Sequence, residues 1–238
     1  MVMVVAIIAV ATVVQGVSGF GFSLASMPLL AALLGVEKAL AIQTTLGIVS
    51  NSLTAVRSRS DIVGGTAARM LAAAVCGMPV GWVLLNHVSG RSLKFLVGVV
   101  VATLALALAK HVRIRSNGSV ADLVSGLVSG VLSTSVGTNG PPLVLALSGR
   151  NMPAANQRAT LSTCFAVSNL IVFSALLSSG RIDRPVLVAV SASLPLLVVA
   201  SSAGHRLFDR LQQHQYDRLV IWLLFASAAV AIVSALAG

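Results

Sequence analysis

Eight uncharged runs separated by short polar segments set the pattern of this chain: 1–36, 39–56, 70–90, 95–109, 123–149, 159–180, 185–204 and 219–238. Most approach the roughly 20 apolar residues that cross a hydrocarbon core as one helix. The first run does not fit that length. Its 36 residues would extend about 54 Å as a single helix against a core of about 30 Å, yet they are too few for two complete spans and a turn. They predict two half-length helices meeting at a break. Gly16-Val-Ser-Gly-Phe-Gly-Phe22, leading to Pro28, marks the break, and run five carries a second cluster of helix breakers between Gly130 and Leu143. A broken backbone facing lipid would leave amides unpaired at several kcal/mol each, so each break must face protein or a water-filled cavity.

The two stretches echo each other 114 residues apart, both opening on Gly-Val and closing on Pro-Leu. Pro28 to Gln43 and Pro142 to Gln157 are both 15 residues apart, and Ser50-Asn51 and Ser168-Asn169 follow one helical turn out of step. Pro79 and Pro195 then occupy comparable places in the third run of each half. The chain reads as an all-α integral membrane protein of two repeats, 1–114 and 115–238, forming one membrane domain. Each repeat is a broken or re-entrant helix pair followed by three transmembrane helices.

Composition sharpens the class. With 57% hydrophobic and 9% charged residues and a mean hydropathy of +0.97, the chain lies far from a soluble domain, where roughly a quarter of residues are charged. The loops leave no room for a soluble catalytic module. The formal charge of +10 is spread over those loops, which points to membrane topology and lipid contact rather than to nucleic acid. The N-terminus has no basic segment before its apolar run, so it does not read as a cleaved signal peptide. Cys76 and Cys164, isolated within apolar runs, read as buried, inert thiols. Nothing in the sequence calls for a cofactor or a metal.

Charge placement also sets topology. If all eight runs cross, the basic residues divide evenly between the two sides. If runs one and five return to the side they entered, Arg57, Arg59, Arg69, Lys110, Arg113, Arg115, Arg150, Arg158, Arg206, Arg210 and Arg218 share one side, eleven of the 16. The positive-inside rule then makes that side cytoplasmic. The halves become inverted repeats in a multi-pass protein of the cell membrane, with both termini outside the cytoplasm.

These residues carry a resemblance. Gly16 to Phe22 through Pro28, and Gly130 to Pro142 followed by Arg158-Ala-Thr-Leu161, are similar to the two signatures of the TauE/SafE sulfite-exporter family, across the whole chain. The chain departs from the fully glycine-rich pattern: Phe20 and Phe22 bulk up the first stretch, and Ser133, Thr134 and Ser135 stand in place of glycines in the second. The resemblance implies movement of sulfite, organosulfonates or other small sulfur-containing anions. A permease for another small organic anion, such as a carboxylate, is the alternative.

An anion inside a membrane needs compensation for lost hydration, and half-helix N-termini offer unpaired amides and about half a positive charge each. Gly19, Gly21, Gly137 and Gly140 would let backbone approach such a ligand, with Ser23, Ser26, Thr138 and Asn139 as polar contacts. Pro28 and Pro142 are expected to restart helices at their first turn. Packing alone suffices to explain Gly77-x-x-x-Gly81 and Gly126-x-x-x-Gly130. Arg158, preceded by Gln157, is the leading single side chain, because its fork binds an oxyanion bidentately; its plain alternative is a snorkelling loop anchor. Gln43, Thr45, Asn51 and Asn169 are further contacts that interhelical hydrogen bonding would explain equally well. The second half, with Thr138, Asn139 and Arg158, is expected to hold the ligand's charge, and the first to shape the pocket.

The six acids, Glu37, Asp61, Asp122, Asp183, Asp209 and Asp217, all fall at run ends or in loops, and the four histidines are near loops. A buried carboxylate proton relay is therefore not expected. Gly16-Val-Ser-Gly19 also matches the G-x-S-G pattern of an intramembrane serine protease with Ser18 as nucleophile. That reading lacks a histidine base at membrane depth.

Overall fold

The computed structural model describes residues 2–89, 118–150 and 152–237, together with Ser92, Phe95, Val99, Ala102, Thr103 and Leu106. Most of run 95–109, Lys110, His111, Arg113, Arg115 and the repeat boundary at 114/115 lie outside the described residues. In chain order the helices are α1 (Val2–Ser18), α2 (Gly21–Leu34), α3 (Val36–Arg57), a 3-10 turn (Arg59–Asp61), α4 (Gly64–His87), α5 (Gly118–Val136), α6 (Gly140–Ser148), α7 (Ala154–Ser178), α8 (Arg184–Phe208) and α9 (Gln213–Ala237). Five of them, α3, α4, α5, α7 and α8, are long and apolar enough to cross a membrane. The 14 residues of α2 and the 9 of α6 reach only about 21 Å and 14 Å, and so stop inside it.

Both breaks fall within the predicted stretches. Gly19, at φ +80, ends α1 in a left-handed conformation that only glycine adopts cheaply. The Ser18 hydroxyl then accepts the Gly21 amide at 2.9 Å and starts α2. Gly137, at φ +68, ends α5. The chain folds back so that the Asn139 carbonyl accepts from Ser129 Oγ at 2.8 Å, which sets the start of α6 beside the middle of α5. The hairpin closes where it opened: Arg150 Nη1 donates to the Gly118 carbonyl at 3.3 Å. Val4 of α1, Ala31 of α2 and Val186 of α8 share one apolar cluster. The first hairpin finishes at the end opposite Gly118, where Lys38, four residues past α2, pairs with Asp183 at the start of α8. Pro142 lies in the first turn of α6. Pro28, in contrast, lies midway along α2, because that helix starts seven residues earlier at Gly21, whose amide the Ser18 hydroxyl accepts.

Packing between the hairpins and the long helices is reciprocal. α1 packs on α8, α5 packs on α4, and α3 packs on α7. Glycine permits both hairpin contacts. A Cβ on Gly16 would lie 2.8 Å from the Gly204 Cα, and Cβ atoms on Gly126 and Gly130 would strike the carbonyls of Met70 and Ala74. Gly77 and Gly81 meet the Leu127 and Val131 carbonyls in the same way, so both small-residue motifs do serve close helix packing.

The described loop cations divide by end. Arg57, Arg59, Arg69, Arg150, Arg206 and Arg210 lie where α3, α6 and α8 finish and α4 starts, whereas Lys38 and Arg181 pair with Asp183 and Glu37 at the other end. Large apolar side chains such as Val80, Leu187, Val199 and Trp222 are exposed on the outside, and Gln15, Gln43, Asn51, Asp122 and Arg158 are buried. That inversion suits a chain whose solvent is lipid. Asp122 was expected near a loop; it is wholly buried between Arg69 (2.8 Å) and Arg150. Cys164 is buried as expected, but Cys76 is exposed, because it lies on a face of α4 turned away from the bundle.

Candidate functional site

Arg158 is 2% exposed and lies one turn into α7, where that helix crosses the first break. Its Nη2 donates to the Gly16 carbonyl at 2.6 Å and to His205 Nδ1 at 2.7 Å. The Phe208 ring covers the guanidinium at 4.2 Å, and Tyr216 meets Phe208 edge-on at 5.9 Å. The Arg158 Nε is buried without a partner. Among the described residues, the ion pairs are Lys38–Asp183, Arg69–Asp122, Arg150–Asp122 and Arg181–Glu37, and none involves Arg158. The carbonyl end of α1 and the ring face of Phe208 offset part of its charge. Among the described residues no carboxylate pairs with it directly, and Asp209 acts on it only from beyond ion-pair distance.

The break beside Arg158 is held by polar groups on four helices, α1, α3, α7 and α9. The Gly19 carbonyl accepts from Gln15 Nε2 at 2.9 Å and from Ser162 Oγ at 3.2 Å. The Ser18 carbonyl accepts from the Tyr216 hydroxyl at 2.8 Å, and Gln15 Nε2 also donates to Asn51 Oδ1. A Cβ on Gly19 would stand 2.7 Å from Arg158 Cγ. The amides that open α2 are in use here: Phe20 and Gly21 donate to Ser18 Oγ, and Phe22 donates to Gln15 Oε1 at 3.0 Å. The Ser18 hydroxyl is thus a helix cap that also donates to the Val14 carbonyl. The positive charge at this break comes from Arg158.

The second break has neutral surroundings. Gly137 faces Gln43, Leu40 and Met27, and Gly47, one turn along α3 from Gln43, faces the Asn169 amide. Gln43 Oε1 and Asn139 Nδ2 are both buried and unpartnered. Pro141 and Pro142 bring no N–H to the first turn of α6. Gly140 sits 3.3 Å from Phe20, measured from the position its Cβ would take, so this phenyl ring joins the two breaks.

The expected site residues therefore fall into two groups. Gly19, Gly21, Asn51 and Arg158 meet at the first break, and Gln43, Gly137, Thr138, Asn139, Gly140 and Asn169 at the second. The remaining four are engaged locally or packed. Ser26 and Thr45 donate to the Phe22 and Ala41 carbonyls of their own helices, Ser23 is buried within α2, and Gln157 ties Ser148 to the Met152 carbonyl. Arg158 was grouped with Thr138 and Asn139; the fold gives it to the first half's break, because α7 crosses α1 where α1 ends. Gln15, His205, Phe208 and Tyr216 were not anticipated. Gln15 could have been, since it is the only amide side chain in the first uncharged run.

A helical bundle with two hairpins that stop inside it, and an interior cation that joins no ion pair among the described residues, is the build of a membrane transporter. Residues 4–231 match the family described as Sulfite exporter TauE/SafE, and the chain belongs to that family. Its members are transporters rather than enzymes, which removes the protease reading of Ser18. The chain is 28% identical over 212 residues to the probable sulfite/organosulfonate exporter TauE of Cupriavidus necator, covering 84% of this chain and 81% of that protein. No solved structure matches at a significant level.

Proposed function

We propose that this protein exports small sulfur-containing oxyanions, sulfite or organosulfonates, across the cell membrane, and that Arg158 is their principal ligand. The observation that carries this reading is a guanidinium 2% exposed, with an unpartnered Nε and no acidic partner among the described residues. Burying an unpaired charge is costly, and an anion binding beside it repays that cost through charge-assisted hydrogen bonds. The name of the Cupriavidus necator relative supports the sulfur chemistry. Asn139, whose buried Nδ2 is an unpartnered donor at the neighbouring break, together with Gln43 and Asn169, completes a polar path between the hairpins, near the bilayer midplane.

In this reading residues 1–114 and 115–238 are inverted repeats. The reciprocal packing of α1 on α8 and α5 on α4 supports it, as does the way each break is met by a long helix of the other half: Gly19 by Arg158 of α7, Gly137 by Gln43 of α3. The arginine-rich end is cytoplasmic and both termini are outside. Flux into and out of proteoliposomes tests the function. Accelerated sulfite or methanesulfonate movement is expected, and folded protein that moves no small oxyanion would refute it. A carboxylate moved in preference to both would transfer the site to the organic-anion alternative.

A further inference from the structure

His205 lies in the last turn of α8, 47 residues from Arg158 in sequence, and its Nδ1 is 2.7 Å from Arg158 Nη2. A guanidinium N–H can only donate, so Nδ1 is the acceptor and the ring is neutral, with its proton on Nε2. That Nε2 is buried without a partner. Arg158 Nη2 has two hydrogens, and the Gly16 carbonyl takes one while His205 takes the other. The imidazole thus stands where an oxyanion bound to that nitrogen would have to stand. The charged groups facing the ring are Arg158 of α7, Arg57 of α3 and Asp209 just past the end of α8. Arg57 is held within one turn of His205, on Ser202, at 3.4 Å. From α9, Tyr216 reaches the site through Phe208, and α1 brings no ionisable side chain.

We infer that His205 couples anion binding to proton uptake: an oxyanion displaces Nδ1 from Arg158, and the freed nitrogen takes one proton from water at that end of the bundle. This rests on Arg158 being the anion's ligand. With the site empty, a proton on Nδ1 would set an imidazolium donor against a guanidinium donor at hydrogen-bond distance, flanked by Arg57. With the anion present, both cations face a shared negative charge. One N–H bond forms as the donor's bond to that proton breaks, in hydronium or the acid form of the buffer, which is left as its conjugate base in solution; a monovalent anion with its proton adds no net charge to the buried site. His205 is a positioning residue when neutral and the proton carrier when the anion is bound.

Methanesulfonate tests this, because its own charge does not change where histidine titrates, between about pH 5 and 8. Isothermal titration of the detergent-solubilised protein in two buffers of different ionisation enthalpy counts the protons taken up. Uptake approaching one proton per anion is expected, with affinity rising up to about tenfold for each unit the pH falls. His205→Gln and His205→Asn, each checked for monodisperse elution and normal melting, should bind with no uptake and a flat pH profile. Binding that depends on Arg158 but takes up no proton overturns the coupling alone, as does uptake that persists in both folded variants. Wild-type protein that fails to bind methanesulfonate, or binding that survives in Arg158→Gln, overturns the Arg158 reading and the coupling with it.

Discussion

Arg158 and Gly16, 142 residues apart, are joined by a 2.6 Å hydrogen bond from the guanidinium to the last turn of α1. The bond ties the start of a long helix in the second half to the tip of the hairpin in the first. The site's only described buried cation without an acidic partner is therefore mounted on the contact between the halves. An anion that draws on Arg158 changes the terms of that contact.

Arg158→Gln should weaken sulfite or methanesulfonate binding roughly 10- to 100-fold, the range expected for a hydrogen bond to a charged group. Arg158→Lys keeps the charge but loses the fork, so an intermediate loss is expected. Ligand-induced shifts in melting temperature measure both, since a ligand that binds only the native state stabilises it. Equal shifts in wild type and Arg158→Gln would return this residue to a structural role.

At the crossing of α1 and α8, Gly16→Ala should destabilise by about 1–3 kcal/mol through overpacking, because its Cβ meets Gly204 backbone at 2.8 Å. Gly64→Ala, at the start of α4 with nothing within 4 Å, should stay within about 0.5 kcal/mol. Thermal denaturation in detergent compares the pair.

Gly19 and Gly137 both have positive φ, so alanine at either position costs about 1–2 kcal/mol in backbone strain. Gly19→Ala should be the worse, because its Cβ meets the Arg158 Cα at 2.9 Å as well as its side chain, whereas Gly137→Ala meets only the ends of Leu40, Gln43 and Met27. Measured anion affinity should fall more for Gly19→Ala than for Gly137→Ala.

Asp122→Asn removes the carboxylate between Arg69 and Arg150 and leaves two arginines facing each other across the mouth of the second hairpin. A loss of about 3–5 kcal/mol is expected for breaking such a buried pair from one side. Adding Arg69→Gln should recover part of it. A double variant no more stable than Asp122→Asn would argue against repulsion as the cause.

Hydropathy and breaker residues alone were enough to mark both hairpins. An uncharged run too long for one helix and too short for two has few solutions in a bilayer, and Gly19 and Gly137 fall at the turns because their backbone needs left-handed φ. The packing glycines at 77, 81, 126 and 130 were legible for a similar reason, since small residues one turn apart make a flat helix face. Pro28 was misread because proline marks a helix start only when nothing upstream caps the helix, and Ser18 does so. The sequence also carried Arg158 as a leading ligand, but it did not carry its partners. His205, Phe208 and Tyr216 lie 47 or more residues away, and only the docking of α8 and α9 over the end of α1 brings them to the guanidinium. Local chemistry along the chain set where the backbone breaks; the tertiary structure decided which break receives the charge, because that depends on where helices from the two halves cross.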